Sequence, residues 1–300
     1  MPDTPRIAIV IVTYNSARVL PDCLSSLTAG ARGIRLSRVV VADNASKDDS
    51  VALAVRAGAV PVQLGRNAGY AAAINAGIAS LDLEELDAVL VLNPDCRLRE
   101  GALAALAAAL RPPGRGIAVP RLVSPEGHTH ASLRRAPTVR GAVAEALVGG
   151  RRAGLLGEVI YDPRRYERPG PAMWATGAAM LVAVPAVRDI GPWEESFLLY
   201  SEETDFALRA ADRSWTLWYE PDAVIEHVGG EAKTNTMLAA LLTTNRVRLF
   251  RRRRGRLASA AFYLAVLAGE ALRAAAGRRT SRAAVVALVR PSRRLRALPE

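Results

Sequence analysis

Residues 7–12 form a continuous β-branched apolar run that stops at the polar Thr13-Tyr14-Asn15-Ser16, and residues 17–27 then carry apolar side chains at helical spacing. The pattern predicts a strand followed by a helix. The same alternation recurs with a strand over 39–42, polar Asp43-Asn44-Ala45-Ser46 and a helix over 49–57. A third unit has a strand over 60–64, Gly65-Arg66-Asn67 and a helix over 70–80; a fourth has a strand over 88–92, Asn93-Pro94-Asp95 and a helix over 101–110. Buried-strand runs separated by helices predict an α/β fold, a doubly wound and mostly parallel sheet flanked by helices. Ligands of such sheets bind beyond the carboxyl ends of the strands, where all four polar clusters fall. Capping of exposed helix N–H groups accounts equally for any single cluster, but capping alone does not require the sequences Asn-Pro-Asp or Asn-Ala-Gly-Tyr.

After Arg111 the periodicity breaks into Pro-Pro-Gly-Arg-Gly, a strand-like 117–119 and a region rich in Pro, Gly and Arg over 120–171. This half is expected to build the wall that receives a second substrate. Apolar residues 174–182 follow, and Phe197-Leu198-Leu199-Tyr200 leads into an acidic group, Glu202-Glu203-Thr204-Asp205, that opens a helix to about 211. Short strands are expected over 215–219 and 223–227, and from about 238 the chain reads as helical with Arg-rich junctions. The chain thus divides into 1–235, with halves 1–111 and 112–235, and an Arg-rich helical extension over 236–300. No internal repeat suggests a solenoid.

Half of the 300 residues are apolar, which excludes a disordered chain, a collagen-like fibre and a disulfide-stapled miniprotein. The formal charge of +11 is unevenly placed: 15 Arg against Glu270 and Glu300 give residues 246–300 a net +13, leaving about −2 on the rest. A near-neutral body therefore carries a cationic tail. Only Lys47 and Lys233 are lysines against 38 Arg, and the chain is rich in Ala, so composition bias contributes to this charge. Cys23 and Cys96 have no CxxC or Cys/His spacing, which argues against a zinc site or a disulfide framework and for a reducing compartment. Residues 1–6 lack the basic-then-apolar order of a secretory signal. The longest apolar stretch, 257–269, has 13 residues, short of the roughly 20 that span a bilayer, so no ordinary transmembrane helix is expected.

The chain has no GxxxxGK[ST] loop, no GxGxxG after the first strand and no GxSxG elbow, which removes the usual supports for P-loop phosphate transfer, dinucleotide redox chemistry and hydrolysis. The remaining candidates are carboxylates. Asp95 reads either as a helix cap or as an oxygen ligand of a divalent cation such as Mg²⁺ or Mn²⁺. His227, at another strand end, reads as a packed imidazole or a second ligand. Glu202, Glu203 and Asp205 complement a helix macrodipole. Their proximity also raises at least one pKa, as a general base for an alcohol acceptor requires.

The set Val10-Ile11-Val12-Thr13-Tyr14-Asn15-Ser16, Val41-Ala42-Asp43-Asn44-Ala45-Ser46, Asn67-Ala68-Gly69-Tyr70-Ala71-Ala72-Ala73-Ile74-Asn75, Leu92-Asn93-Pro94-Asp95 and Leu199-Tyr200-Ser201-Glu202-Glu203-Thr204-Asp205 resembles the family 2 glycosyltransferases, most closely their rhamnosyltransferase-like branch. The likeness runs from about Ile7 to His227; Asn-Pro-Asp and Glu-Glu-Thr-Asp are its specific pieces. It implies a GT-A fold over 1–235, with a nucleotide-sugar half (1–111) and an acceptor half (112–235), a nucleotide-diphosphate sugar donor, a divalent metal, Mg²⁺ or Mn²⁺, and inversion at the anomeric carbon. By similarity, Thr13, Tyr14 and Asn15 would line the nucleoside pocket and Asp43 would hydrogen-bond the base. Arg66, Asn67 and Gly69 would face the base or diphosphate. Asp95 takes the place of the last acid of the family's Asp-x-Asp, with His227 as the distal metal ligand, while Asn93 replaces the first acid, a departure familiar in this branch. Glu203 matches the second acid of the family's acidic pair and is expected as catalytic base ahead of Glu202. Trp174, Gly177, Ala178 and Asp205 are expected to shape the sugar or acceptor site, and Trp193 reads equally as core or as acceptor platform. L-Rhamnose from dTDP-rhamnose is the family-level expectation for the donor, with UDP-linked sugars open.

Arg246, Arg248, Arg251 to Arg254, Arg256, Arg273, Arg278, Arg279 and Arg282 bracket the apolar 257–269 segment. That arrangement fits a helix lying in an anionic membrane surface, and would bring a cytoplasmic, peripherally bound enzyme to a polyprenyl-diphosphate-linked or polysaccharide acceptor. The alternatives are a helix packed on the body or an oligomer contact. A nucleic-acid-binding protein is a rival reading of the tail; its aromatics are only Phe250, Phe262 and Tyr263, and the body is not basic. A sugar nucleotidyltransferase is a second rival, but it would begin with a Gly-rich basic loop where Thr13-Tyr14-Asn15-Ser16 stands.

Overall fold

A computed structural model describes residues 4–229 and 235–299. The first half runs β1 (Arg6–Thr13), α1 (Leu20–Gly30), β2 (Arg35–Asp43), α2 (Ser50–Arg56), β3 (Val60–Gln63), α3 (Tyr70–Ala79), β4 (Ala88–Leu92), β5 (Cys96–Leu98) and α4 (Ala102–Leu110). The second half continues with β6 (Arg115–Val123), β7 (Leu133–Arg134), α5 (Val139–Val148), β8 (Gly170–Ala172), β9 (Trp174–Ala175), β10 (Ala179–Ala183), α6 (Val184–Ile190), α7 (Glu202–Asp212) and β11 (Thr216–His227). Three helices, α8 (Thr236–Arg253), α9 (Arg256–Ala275) and α10 (Arg279–Val289), follow.

The nine-stranded sheet has the order β3-β2-β1-β4-β10-β6-β11-β5, with β8 also paired to β11; β7 and β9 form a separate ladder. From β3 to β4 it is parallel. Period-two alternation along β1 divides its side chains between two cores. Ile7, Ile9 and Ile11 pack with α1, α2 and α4 residues such as Leu27, Ala54 and Leu103, whereas Ala8, Val10 and Val12 pack with Ile74, Ile190 and Phe206 of α3, α6 and α7. Both faces of the central strands are thereby covered, which is why they read as unbroken apolar runs.

Beyond β4 the sheet becomes mixed, and this places the site. β10 lies antiparallel between β4 and β6, with Ala179 opposite Leu92 and Ala183 opposite Ala88. Its entry therefore meets the carboxyl end of β4, and the Asn93 N–H donates to the Ala178 carbonyl at 2.8 Å. β11 runs parallel to β6 and antiparallel to β5, pairing His227 with Cys96.

Two local readings differ from the structure. The strands expected over 215–219 and 223–227 are one strand, β11, whose register to β6 shifts between Glu220 and Val224. Pro221 lies in that break, where its missing N–H interrupts the ladder and its polar neighbours interrupt the apolar pattern. Within 120–171 the chain also forms α5, started by Thr138, whose hydroxyl accepts from the Gly141 N–H at 3.0 Å.

The three C-terminal helices pack on the body. Val247 and Phe250 of α8, Phe262 and Val266 of α9 and Leu288 of α10 share a core with Ala142 of α5. Leu249 of α8 packs with Phe197 and Leu208. Arg246 bridges Glu145 and Glu158 at 2.7 Å each, and these two carboxylates hold the guanidinium charged against its burial. α9 carries the 13-residue apolar run within a helix of 20 residues that also holds Arg256, Glu270 and Arg273. Among the described residues it is the one helix long and apolar enough, by length and composition, to cross a membrane.

Candidate functional site

Where the carboxyl ends of β1, β2 and β4 meet the start of β10 and the N-terminus of α7, a cleft of about 490 Å³ opens. Tyr14, Asn44, Asn67, Gly69 and Asn93 line it from the first half, Thr176, Gly177 and Ala178 from the β10 entry, and Glu202 and Glu203 from α7. Tyr70 ties the two halves together: its hydroxyl, with a single proton, lies 2.7 Å from Asn93 Oδ1 and 3.0 Å from the Gly177 carbonyl oxygen. Gly69 has φ +96°, and a Cβ there would stand 2.8 Å from Leu198 Cα. The close approach of these two backbones is available only to glycine.

The carboxylate pair is the most perturbed acidic group of the cleft. Glu202 is buried, and its Oε2 has no hydrogen-bond partner among the described residues. Burial first, and then the neighbouring Glu203 carboxylate, push its pKa well above the ordinary range. Glu203 is half-buried; burial raises its pKa too, but the Arg134 guanidinium and backbone N–H groups pull it back. Of the two, Glu202 is the carboxyl pushed up further, and Glu203 the one whose negative charge has a cation to support it. Gly177 permits the approach: a Cβ there would sit 3.1 Å from Glu203 Cβ.

Asp95 and His227 meet beside Asn93 and Pro94, outside the residues lining the cleft. His227 Nε2 lies 3.5 Å from Asp95 Oδ2, and with Cys96 their ligand atoms fall within 4.8 Å of one another. Burial pushes the Cys96 thiol pKa well above its ordinary value, and its Sγ donates to the Ala178 carbonyl at 3.4 Å. The usable donors are therefore one carboxylate and one imidazole. That set fits a divalent cation completed by oxygens of a diphosphate or water. Asn93 contributes no charge, its Oδ1 being engaged by Tyr70.

Several expected residues stand elsewhere. Thr13 and Asp43 are buried; Asp43 accepts from the Thr13 hydroxyl at 2.7 Å and from the Ser46 N–H and hydroxyl at 2.8 and 2.6 Å. Asn15 is exposed, accepts from the Lys47 N–H and has φ +49°. These three staple the loop after β1 to the loop after β2, leaving Tyr14 and Asn44 to face the cleft. Arg66 is exposed and outside the lining. Trp174 is buried, its Nε1 donating to the Arg135 carbonyl at 2.9 Å, and Asp205 is paired with Arg209 one helical turn on, at 2.7 Å. Neither lines the cleft. Trp193 is core, stacked on Phe206 with ring centroids 4.3 Å apart.

Asn44 and Tyr70 of the cleft lie inside the motifs, but nothing in the pattern singles them out. Leu298 and Pro299, far along the chain, also enter the cleft beside Met237 and Leu238. The Pro299 carbonyl accepts from the Tyr14 hydroxyl at 3.0 Å and from Asn67 Nδ2 at 2.8 Å.

This sheet order, with its cleft at the strand ends, is the GT-A fold of glycosyltransferases. Among solved structures, a mannosyltransferase of Pyrobaculum calidifontis in complex with GDP-Man and Mn²⁺ superposes with a TM-score of 0.57, covering 97% of this chain and 83% of that one at 18% identity. Glucosyl-3-phosphoglycerate synthase of Mycobacterium tuberculosis, in complex with Mn²⁺, UDP and phosphoglyceric acid, gives a TM-score of 0.51 over 81% and 78% at 14% identity. Residues 8–155 match the model of glycosyl transferase family 2. An N-acetylglucosaminyl-diphospho-decaprenol L-rhamnosyltransferase of Mycobacterium tuberculosis is 30% identical over 236 residues, 75% of this chain and 76% of that protein. A low-salt glycan biosynthesis hexosyltransferase of Haloferax volcanii is 27% identical over 205 residues, 68% of this chain and 61% of that protein. The chain belongs to glycosyl transferase family 2 and is a glycosyltransferase enzyme.

Proposed function

We propose that this enzyme transfers a sugar, L-rhamnose from dTDP-rhamnose, to a hydroxyl of a polyprenyl-diphosphate-linked glycan, with inversion. The observation that carries the chemistry is the Glu202–Glu203 pair in a cleft that Tyr14, Asn67, Gly69 and Asn93 also line. The donor's nucleoside lies against Tyr14 and Asn67, displacing the Pro299 carbonyl, and its sugar lies toward Gly177 and Ala178. Glu203 accepts the proton of the attacking hydroxyl as the acceptor oxygen bonds to the anomeric carbon. The bond from that carbon to the donor phosphate oxygen breaks, and the nucleoside diphosphate leaves with the bonding pair. Glu202, holding a proton, keeps the second negative charge away from the base. Asp95 and His227 would hold Mg²⁺ or Mn²⁺, which when bound neutralises charge on the leaving diphosphate.

The acceptor and donor assignments draw on the M. tuberculosis relative, whose name carries both a rhamnosyl transfer and a decaprenyl-diphosphate substrate. Membrane association has support in this chain. Leu257, Leu264 and Leu272 of α9 are 89%, 61% and 58% exposed along one helical face, with Val143 and Leu147 of the adjacent α5 also exposed. Arg251, Arg254 and Arg256 lie before or at the start of α9, Arg278, Arg279 and Arg282 follow its end, and all six are exposed. We place the enzyme peripherally on the inner face of the cell membrane, with α9 lying in an anionic leaflet. A dense basic tail also suits nucleic acid, but here it borders an exposed apolar helix face.

Calorimetric titration with dTDP, UDP and GDP, with and without Mg²⁺ or Mn²⁺, tests the donor site. Metal-dependent binding, strongest for dTDP and lost in Asp95→Ala, is expected. A folded wild-type sample that binds none of the three defeats the donor-site assignment.

A further inference from the structure

Between Phe197 and the carboxylate pair the backbone passes through three non-glycine residues in the left-handed region: Leu198 at φ +65°, Tyr200 at +68° and Ser201 at +78°. A turn of this kind persists only where its surroundings over-determine it. Part of that constraint is local: the Leu198 carbonyl accepts from the Tyr70 N–H at 2.7 Å, and the Ser201 carbonyl accepts from the Asp205 N–H at 2.8 Å. The rest comes from α8. Asn245 is buried, and its Nδ2 lies 2.7, 3.0 and 3.2 Å from the carbonyl oxygens of Phe197, Leu199 and Tyr200. Two amide N–H groups are thus shared among three loop carbonyls, of which that of Phe197 also accepts from the Leu199 N–H at 2.7 Å.

The same face of α8 grips the loop's start. Arg248 Nη1 donates to the Ser196 carbonyl at 2.6 Å, and Arg252 Nη2 to the Ser196 hydroxyl at 3.0 Å. Both guanidinium groups lie over the Phe197 ring. One segment therefore touches the donor side of the cleft at Gly69 and Tyr70, continues directly into Glu202 and Glu203, and is held from behind by α8, with the buried Asn245 amide against three of its carbonyls.

We propose that Asn245 is a positioning residue for the transfer reaction: by holding the Leu198-to-Ser201 turn, it sets the distance and direction of Glu203 relative to the donor side of the cleft. The inference rests on Glu203 being the base. It makes a residue of the C-terminal helices, outside the 8–155 family match, part of the catalytic geometry. An amide that only satisfied loop carbonyls would affect stability and leave turnover of the folded enzyme unchanged.

The test compares the full-length wild type with Asn245→Asp, which keeps the shape but turns a donor into an acceptor facing three carbonyls, and Asn245→Ala, which removes it. Amide hydrogen exchange of the whole chain is followed together with kcat and KM for dTDP-rhamnose. For both variants the expected result is at least tenfold faster exchange at 198–201 with β1 and β4 unchanged. A fall in kcat of at least tenfold, with donor KM within about twofold of wild type, is expected alongside. Unchanged exchange at 198–201 in both variants overturns the proposal, as does faster exchange with wild-type kcat. A wild type inactive with dTDP-rhamnose, UDP-galactose and UDP-N-acetylglucosamine defeats the donor assignment of the proposed function rather than the role of Asn245, a result neither variant can mimic.

Discussion

Gly69→Ala tests the joint between the donor side of the cleft and the loop that carries the carboxylate pair. Gly69 has φ +96° and ψ 172°, a region reserved for glycine in which a side chain costs about 1–3 kcal/mol. The added Cβ would also meet the Leu198 backbone, 2.8 Å from its Cα and 2.9 Å from its carbonyl carbon. Relief requires the loop to withdraw, breaking the 2.7 Å bond from the Tyr70 N–H to the Leu198 carbonyl, worth about 1 kcal/mol net. The sum is about 2–4 kcal/mol, or a fall in Tm of about 3–6 °C for a protein of this size. Gly65→Ala is the control: Gly65 has φ +73° but nothing within 4 Å of a Cβ, so only backbone strain of about 1 kcal/mol is expected. Thermal unfolding of the two variants beside wild type, with a nucleotide titration of each, makes the comparison. Equal Tm losses for both variants, with nucleotide affinity unchanged in Gly69→Ala, would refute the reasoning.

Three further outcomes are expected. Because Glu202 binds its proton more tightly folded than unfolded, its contribution to stability falls as pH rises above the ordinary carboxylate range; Glu202→Gln should therefore raise Tm at pH 8 relative to wild type and lose that advantage at pH 4, by thermal scans at both. Arg134 holds the Glu203 pKa down, so Arg134→Gln should move the acidic limb of the kcat–pH profile to higher pH, and an unmoved limb would separate that limb from Glu203. Removing residues 297–300 frees Tyr14 and Asn67 from the Pro299 carbonyl. At about 1 kcal/mol per bond, nucleotide binding should tighten by about 3- to 30-fold by calorimetry.

The parallel half of the fold was legible because its strands are buried on both faces and its turns are polar, so the pattern changes sharply at each boundary. Beyond residue 111 that contrast fades. The β11 strand was read as two because Glu220-Pro221-Asp222 breaks its apolar run, and α5 was hidden by Gly141 and Arg140 within a Gly-rich stretch. Within the loops that the motifs single out, the pattern does not show which member faces the cleft. Asp43 turns inward to Thr13 and Ser46 while Asn44 lines the cleft, a choice made by backbone direction after β2. Asp205 stands one residue past Thr204 in the same acidic group as Glu203, yet helix α7 rotates it toward Arg209. Asn245 and Pro299 carried no local signal, since their partners lie 48 and 285 residues away at the farthest.

The most direct test is rhamnosyl transfer from dTDP-rhamnose to a polyprenyl-diphospho-N-acetylglucosamine by wild type and Glu203→Gln, with nucleotide affinity measured on both. Wild type should form the glycoside with inverted anomeric configuration. Glu203→Gln should bind dTDP normally and lose about 10²- to 10⁴-fold in kcat. Transfer by Glu203→Gln at the wild-type rate would contradict the assignment of the base, and a folded wild type that releases no dTDP would contradict the donor.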